Sequence, residues 1–203
     1  GENGALLKNK SRSKRIIQAL NPDIILLQEV KESTSKKDLE NFLNNLNIGT
    51  WTSSISNSER IVSVTATKLS ARSVPEFDNL INDDIKSPVR GSALEIKYMD
   101  KILLVSSIHL KCCGGATGRE ENIRISQSKL LNERFKKASK RIKASGVIIG
   151  GDFNLVGTNK PLEILQESSL NATLVNPLLF QPDGVFTATW DRDTSNFTPG
   201  RID

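Results

Sequence analysis

The stretch Val147-Ile148-Ile149-Gly150-Gly151-Asp152-Phe153-Asn154 guides the interpretation of the whole chain. Its three leading residues are apolar and β-branched, which predicts a short strand buried on both faces. The two glycines allow a sharp turn or a close backbone approach. Asp152 and Asn154 stand two positions apart, so on an extended segment their side chains would point to one face. A carboxylate and a carboxamide would then emerge together where a strand ends, a common place for chemistry in α/β proteins.

A simple turn is the competing interpretation, because Gly, Asp and Asn all favour turns. Two other predicted strands help to decide between them. The segment Asp23-Ile24-Ile25-Leu26-Leu27-Gln28-Glu29-Val30 has four consecutive apolar residues and carries Glu29 near its end. A second apolar segment, residues 101–110, carries His109 near its end. Three strand ends that each bear a metal-binding or proton-moving side chain, Glu29, His109 and Asp152, favour one shared site over separate solvated ends.

The order of predicted elements indicates an α/β protein with a mixed sheet or sheets. Helices are predicted at residues 6–20, 35–46, 120–143 and 161–167, and strands at residues 23–30, 61–67, 93–98, 101–110, 147–149 and 185–190. Met99-Asp100 forms a tight connection that predicts a hairpin between two of these strands. Residues 70–88 are predicted to be a loop.

Composition excludes several classes of protein. A length of 203 residues suits one domain, or at most two small ones, and no apolar run is long enough to span a membrane. The net charge of +5 mildly favours an anionic substrate. The first residue, Gly1, is not a natural start, which leaves room for an upstream targeting segment. The cellular compartment is therefore undetermined. The protein is expected to be soluble, with export as one option.

The only two cysteines, Cys112 and Cys113, are adjacent. They cannot form a disulfide framework or a four-ligand zinc site. The preferred interpretation is two reduced thiols in a glycine-rich loop. A vicinal disulfide is the alternative, and it would suit an oxidising compartment.

Several motifs, in this order, resemble those of the endonuclease/exonuclease/phosphatase superfamily. They are "PDIxxLQE" at residues 22–29, "HL" at residues 109–110, "RxxQ" at residues 124–127, "GDFN" at residues 151–154 and "W…RxD" at Trp190 and residues 201–203. The resemblance implies the deoxyribonuclease I-like fold, a four-layered α/β sandwich with two mixed β-sheets face to face and helices outside. It also implies hydrolysis of phosphodiester or phosphomonoester bonds with Mg²⁺ or Mn²⁺.

The resemblance also implies a role for each matching residue. Glu29 would bind the metal. Asp152 would orient or deprotonate the attacking water and could approach the metal too. Asn154 would donate to phosphoryl oxygens, and His109 would assist at the phosphate or the leaving group. Asp203 matches an aspartate that orients a later catalytic histidine.

Two departures from the family pattern concern the ends of the chain. The family's first strand, with an asparagine near the metal, should precede the helix that ends at Leu20, and only a short segment stands there. The closing Ser-Asp-His should follow Asp203 and is absent. We therefore expect residues 1–203 to form a single domain that lacks these two pieces and is nearly inactive alone.

The motifs leave the substrate open. A nuclease or general phosphodiesterase is the favoured function, with nucleic acid among the candidate substrates. A lipid-head-group or sugar-phosphate phosphatase is the second option, because variable loops select the substrate. A non-catalytic binding module on the same fold is the third. The chain is expected to be a monomer.

Overall fold

The computed structural model describes residues 10–58, 60–82, 87–156, 158–167, 174–175 and 177. The helices in these ranges are α1 (Lys10–Leu20), α2 (Lys36–Asn44), α3 (Arg119–Ile142) and α4 (Lys160–Gln166), with a 3-10 helix at Pro75–Phe77. The strands are β1 (Ile24–Lys31), β2 (Thr52–Ile55), β3 (Ile61–Thr67), β4 (Ala71–Ser73), β5 (Ile81–Asn82), β6 (Ser87–Pro88), β7 (Arg90–Tyr98), β8 (Lys101–His109) and β9 (Gly146–Asp152).

Two sheets carry most of these strands. The first has the order β1-β3-β2, and its neighbours are antiparallel. The second has the order β4-β7-β8-β9, with β8 and β9 parallel and the other pairs antiparallel. The long helix α3 makes the crossover between β8 and β9, as parallel strands require. Strands β5 and β6 pair separately.

The layers follow from three apolar clusters. Leu94, Ile96 and Val105 of the second sheet meet Ile24 and Leu26 of the first, so the sheets pack face to face. Leu39 and Leu43 of α2 and Ile17 of α1 pack against Val62 and Val64 of β3 and cover the outer face of the first sheet. Leu131 and Phe135 of α3 and Leu165 of α4 cover the second sheet. This arrangement confirms the four-layered α/β sandwich.

Local sequence signals explain two of the outer helices, α2 and α3. Ser35 caps α2 by accepting a hydrogen bond from the Asp38 amide at 3.1 Å. Helix α3 buries the predicted stripe, which includes Leu131 and Phe135, while lysines cover its other face. The ring of Phe135 packs on Phe77 with centroids 5.1 Å apart and a tilt of 59°. Both helices therefore form where periodicity and capping predict them.

Some predictions of local structure are wrong. Residues 70–88 were expected to be a loop, but β4 and the 3-10 helix lie there, and β2 was not predicted at all. Such short strands carry too few residues for a periodic signal. The strand after α3 was expected to be buried on both faces, yet Ile148 is 46% exposed. Strand side chains alternate between faces, and only Val147 and Ile149 pack towards the helices. Residues 6–9 and the strand predicted at 185–190 lie outside the described residues.

The ion pair between Glu76 and Arg141 should make stability depend on pH. Arg141 Nε and Nη2 donate to the two carboxylate oxygens at 2.6 and 2.8 Å. This hydrogen bonding lowers the pKa of Glu76 below its ordinary value. A lowered folded-state pKa stabilises the protein above the unfolded pKa, and this stability is lost as the pH falls below about 4.5. We expect Glu76→Gln to lower the free energy of unfolding by about 1–3 kcal/mol at pH 7.

Urea unfolding at pH 7 and at pH 3 measures this effect. The gap between wild type and Glu76→Gln should be smaller at pH 3 than at pH 7, because the contribution of a carboxyl with a lowered folded-state pKa decreases below the unfolded pKa. Glu163→Gln is the control, because Glu163 and Lys160 are 53% and 51% exposed. That substitution should change stability by less than about 0.5 kcal/mol. An equal loss of stability in both variants would show that the ion pair of buried Glu76 with Arg141 contributes no more than the exposed pair of Lys160 and Glu163.

Candidate active site

Three hydrogen-bonded strands bring Arg90, His109 and Asp152 into one row. Arg90 begins β7 and is the antiparallel partner of His109 at the end of β8. Asp152 ends β9 and is the parallel partner of the same histidine. A cation, an imidazole and a carboxylate therefore occupy adjacent positions at one end of strands β7, β8 and β9.

His109 is the buried centre of this row, with only 3% of its surface exposed. Burial, and secondly the positive charge of Arg90, lower the pKa of His109 to about 4. Its Nε2 lies 3.6 Å from Asp152 Oδ2, which is longer than a hydrogen bond. The imidazole is neutral near pH 7, so this contact is not an ion pair there. His109 Nδ1 and Arg90 Nε are both buried without a hydrogen-bond partner among the described residues.

The chain turns sharply between Asp152 and Asn154. Asp152 Oδ1 accepts a hydrogen bond from the Asn154 amide at 2.9 Å, and Asn154 has a left-handed φ of 48°. Asn154 Nδ2 donates to Leu110 O at 3.1 Å, so one amide hydrogen fixes the loop after β8. The expectation of two side chains on one extended face is therefore wrong. Strand β9 stops at Asp152, and a turn places Asn154 against the neighbouring loop.

Gly150 and Gly151 allow β9 to lie close to the facing sheet and to the neighbouring strand β8. A Cβ at Gly150 would lie 2.6 Å from Leu26 Cδ1 in the facing sheet. Gly151 has a φ of +135°, and a Cβ there would collide with the Ile108 carbonyl oxygen. The glycines thus allow the close approach that places Asp152 beside His109.

Glu29 reaches the site from a β-bulge in the first sheet. Leu27 pairs with Val64 and Val30 with Val62, so Gln28 and Glu29 both lie opposite one residue of β3. Glu29 is exposed and has a left-handed φ of 57°. Its negative charge acts on the Arg90 guanidinium. The bulge redirects this carboxylate to the cationic end of the row.

Polar contacts between the sheets hold the bulge in place. Gln28 Nε2 donates to Ser107 Oγ at 2.8 Å, and Ser107 Oγ donates to Leu27 O at 3.0 Å. Thr65 Oγ1 accepts from the Ser107 amide at 3.0 Å. Ser107 stands two residues before His109 on β8, so these bonds couple the position of β1 to the histidine.

The carboxylates of Glu29 and Asp152 suit a hard divalent cation. Mg²⁺ binds carboxylate oxygens and keeps several waters, so one or two protein ligands suffice. Glu29 is exposed and the Asp152 side chain is 25% exposed, which leaves access for water. Within the described part of the chain, no three His, Cys, Asp or Glu side chains form a cluster that could hold a metal. Carboxylate oxygens are the ligand type that Mg²⁺ and Mn²⁺ prefer.

The sequence analysis did not identify Arg90 as a site residue. The two-residue turn at Met99-Asp100 fixes the hairpin register, so counting back from it would have paired Arg90 with His109. Asp203 lies outside the described residues, as do Trp190 and Arg201.

The RxxQ residues support the loop after β8. Arg124 is fully buried, and its Nε donates to Glu121 Oε2 at 2.8 Å. Its Nη1 donates to Lys111 O and Cys113 O at 2.9 and 2.8 Å. Gln127 Oε1 accepts from the Lys111 amide at 2.8 Å. These residues position the loop next to His109 and do not lie in the row itself.

Comparison with known families agrees with this geometry. A sequence model described as the Endonuclease/Exonuclease/phosphatase family matches residues 4–203. The chain belongs to this family. No curated protein matches the chain in a sequence search. In the part of this family member that the structure describes, no helix is long and apolar enough to cross a membrane.

Solved structures support the same fold. SmcL is 17% identical and has a TM-score of 0.60, with 96% of this chain and 74% of that chain covered. ANGEL2, described as a 2′,3′-cyclic phosphatase, is 18% identical with a TM-score of 0.53, covering 70% and 42%. The human Nocturnin catalytic domain with bound sulfate is 18% identical with a TM-score of 0.52, covering 72% and 57%. The match thus spans less than two thirds of the ANGEL2 and Nocturnin chains.

Proposed function

We propose that this family member is a divalent-metal-dependent phosphoesterase that hydrolyses phosphodiester bonds, of the endonuclease/exonuclease type. The row Arg90-His109-Asp152, with Glu29 acting on its cationic end, carries the proposal. A phosphoester hydrolase needs donors for phosphoryl oxygens, a carboxylate for the attacking water and a cation for developing charge. Arg90 and His109 supply the donors, and Asp152 supplies the carboxylate. Glu29 and Asp152 offer the oxygen ligands that a divalent cation prefers.

Arg90 and His109 would bind the phosphoryl group. Arginine is always charged and matches phosphate geometry. A neutral imidazole can donate one hydrogen bond without adding charge. Arg90 Nε and His109 Nδ1 are buried without partners among the described residues, and a buried unpaired polar group costs about 1–3 kcal/mol. A phosphate oxygen that hydrogen-bonds to the row would remove part of that cost.

Asp152 would orient or deprotonate the attacking water. Its Oδ1 is fixed by the Asn154 amide, and its Oδ2 faces His109. The hydrogen bond to Oδ1 restricts the orientation of the carboxylate and helps to preorganise it for one water position. Asn154 Nδ2 has a second hydrogen besides the one bound to Leu110 O, and it could donate to a phosphoryl oxygen. We propose Asp203 as the partner of a further histidine, on the family pattern alone.

Glu29 and Asp152 would hold the metal ion. When bound, Mg²⁺ or Mn²⁺ would stabilise negative charge on the phosphoryl oxygens and the leaving oxygen. Glu29 would keep the cation near the phosphate bound by Arg90, because its carboxylate already acts on that guanidinium.

A metal titration with a generic phosphodiester reporter tests the proposal. We expect hydrolysis to need Mg²⁺ or Mn²⁺, to stop in excess EDTA and to survive a zinc-selective chelator. A panel of DNA, RNA, a 2′,3′-cyclic nucleotide, a lipid phosphodiester and a sugar phosphate would separate the substrate classes. A lipid or sugar phosphate as the best substrate would favour the alternative phosphatase function. These assays use the full-length protein. Full activity in excess chelator would refute the metal-dependent mechanism, and no hydrolysis of any substrate by the full-length protein would favour a binding module.

Glu29→Gln should raise the metal concentration needed for half-maximal activity by about tenfold or more, because a neutral amide binds a hard cation weakly. The measurement is a Mg²⁺ titration of the reporter rate. Glu133→Gln is the control, since Glu133 is exposed on the outer helix α3 and should leave the titration unchanged. The same Mg²⁺ requirement in both variants would remove Glu29 from the metal site.

A further inference from the structure

Two adjacent thiols lie in the loop between β8 and α3. Cys113 Sγ donates to Cys112 Sγ at 2.9 Å. Cys112 is half-buried, Cys113 is exposed, and both are free. Cys113 has a left-handed φ of 72° and is followed by Gly114 with a φ of 74°. This backbone brings both sulfurs of neighbouring residues to the same side of the chain.

The backbone around the thiols is anchored to α3. Arg124 holds the carbonyls of Lys111 and Cys113, and Gln127 holds the Lys111 amide. Arg124 is itself fixed by an ion pair with Glu121 at 2.7 Å, and both side chains are buried. The two sulfurs are thus kept together by contacts on either side of Cys112.

Two cations lie close to Cys112. Lys111 Nζ is 4.0 Å from its sulfur, and Arg90 is near enough to interact with Cys112 electrostatically. The pKa of the Cys113 thiol is raised, first because it donates its hydrogen bond to Cys112 and then because of burial. One sulfur therefore accepts a hydrogen bond beside two cations, while the other donates the proton.

We propose that Cys112 and Cys113 form a dithiol site that a small-molecule disulfide converts reversibly into a vicinal disulfide. A thiolate of the pair attacks one sulfur of the reagent, forms a mixed disulfide and releases one thiol. The second cysteine, 2.9 Å away, attacks the protein sulfur of that mixed disulfide and releases the second thiol. The dithiol is oxidised, the reagent disulfide is reduced, and the two protons appear on the released thiols.

Strain should keep the closed form reducible. Ordinary disulfides join Cα atoms about 4.4–6.8 Å apart. Neighbouring residues on a trans peptide have Cα atoms about 3.8 Å apart. A bond between adjacent cysteines is consequently strained, and strained disulfides are the labile ones. The loop would act as a redox-sensitive element and not as a permanent staple.

Formation of the Cys112–Cys113 disulfide would also change the charge next to the active-site row. The reduced pair can carry negative charge beside Arg90 and Lys111, while a disulfide cannot. The two cations therefore favour the reduced state. We expect Lys111→Met to shift the equilibrium between dithiol and disulfide several-fold towards the disulfide.

A glutathione redox titration tests the site without an activity assay. The purified protein is equilibrated at graded ratios of reduced to oxidised glutathione, quenched in acid, alkylated and analysed by intact mass and peptide mapping. At oxidising ratios, the mass of the wild-type protein should fall by two hydrogens and show no bound glutathione at equilibrium. Adding reduced glutathione should then reduce the Cys112–Cys113 disulfide again. The Cys113→Ser and Cys112→Ser variants should each stop at one bound glutathione. A wild type that accumulates stable glutathione adducts, or that cannot be reopened, would overturn the proposal.

The double variant Cys112→Ser/Cys113→Ser separates this site from the catalytic one. It should show no redox-dependent mass change and keep the Mg²⁺ dependence of the wild type. A loss of Mg²⁺ dependence in this variant would mean that the thiols belong to the metal site, which contradicts a separate dithiol site.

Discussion

Asp152→Asn is expected to lower the phosphoester turnover rate by about 10²–10⁴-fold while the protein stays folded. Asp152 is the anionic group of the row, and its Oδ2 lies 3.6 Å from His109 Nε2. An amide at this position removes the negative charge that would orient the attacking water and accept its proton. Asparagine can still accept the hydrogen bond from the Asn154 amide, so the turn should survive. The measurement is kcat for the reporter at saturating Mg²⁺, together with thermal unfolding.

Asp100→Asn provides the matched control for this substitution. Asp100 is exposed in the turn between β7 and β8, at the opposite end of the strands from His109. The same change of acid to amide there should leave kcat within about twofold of wild type, as for an ordinary surface substitution. If Asp152→Asn retains wild-type kcat at equal stability, then Asp152 does not serve the attacking water.

Gly151→Ala is expected to be among the most destabilising single substitutions in the sheet, with a loss of about 3 kcal/mol or more. Residue 151 has a φ of +135°, which an L side chain rarely adopts. The added Cβ would also collide with the Ile108 carbonyl and lie 2.9 Å from the Ile108 amide nitrogen. These are backbone atoms of β8 that pair with β9, so no flexible side chain can yield. Urea unfolding measures the loss.

Gly146→Ala in the same strand is the control for this test. Its Cβ would meet only Leu103 Cδ2, at 3.4 Å, and its φ is not positive. We expect a change of less than about 1 kcal/mol there. Equal effects at the two positions would mean that the close approach at residue 151 relaxes easily, and the geometry of the row would then not depend on that glycine.

Local patterns predicted the elements that hold the site. The apolar run before Glu29 forms β1, the tight turn at Met99-Asp100 joins β7 to β8, and the periodic stripe forms α3. These signals depend on residues near one another in sequence, so they persist without knowledge of the fold. The hairpin register also follows from its turn, and it pairs Arg90 with His109.

The family motifs went further than local pattern and predicted the four-layered sandwich. Their order along the chain agrees with the family match over residues 4–203. They also selected Glu29, His109 and Asp152 as one site, and the structure places His109 beside Asp152 and places Glu29 where its charge acts on Arg90. The catalytic and metal-binding roles of these residues stay predictions, as does the role of Asp203.

The sequence by itself therefore determined the longer strands β1, β3, β7, β8 and β9, the long helix and the chemical types at the strand ends. Only the tertiary structure decided how those ends meet. The parallel register of β8 and β9 spans the whole of α3, so no local signal could place Asp152 next to His109. The bulge at Glu29 and the left-handed turn at Asn154 depend on contacts with Ser107 and Leu110 from another part of the chain. Long-range backbone pairing sets side-chain direction at these positions, and it overrides the extended geometry that the sequence suggests.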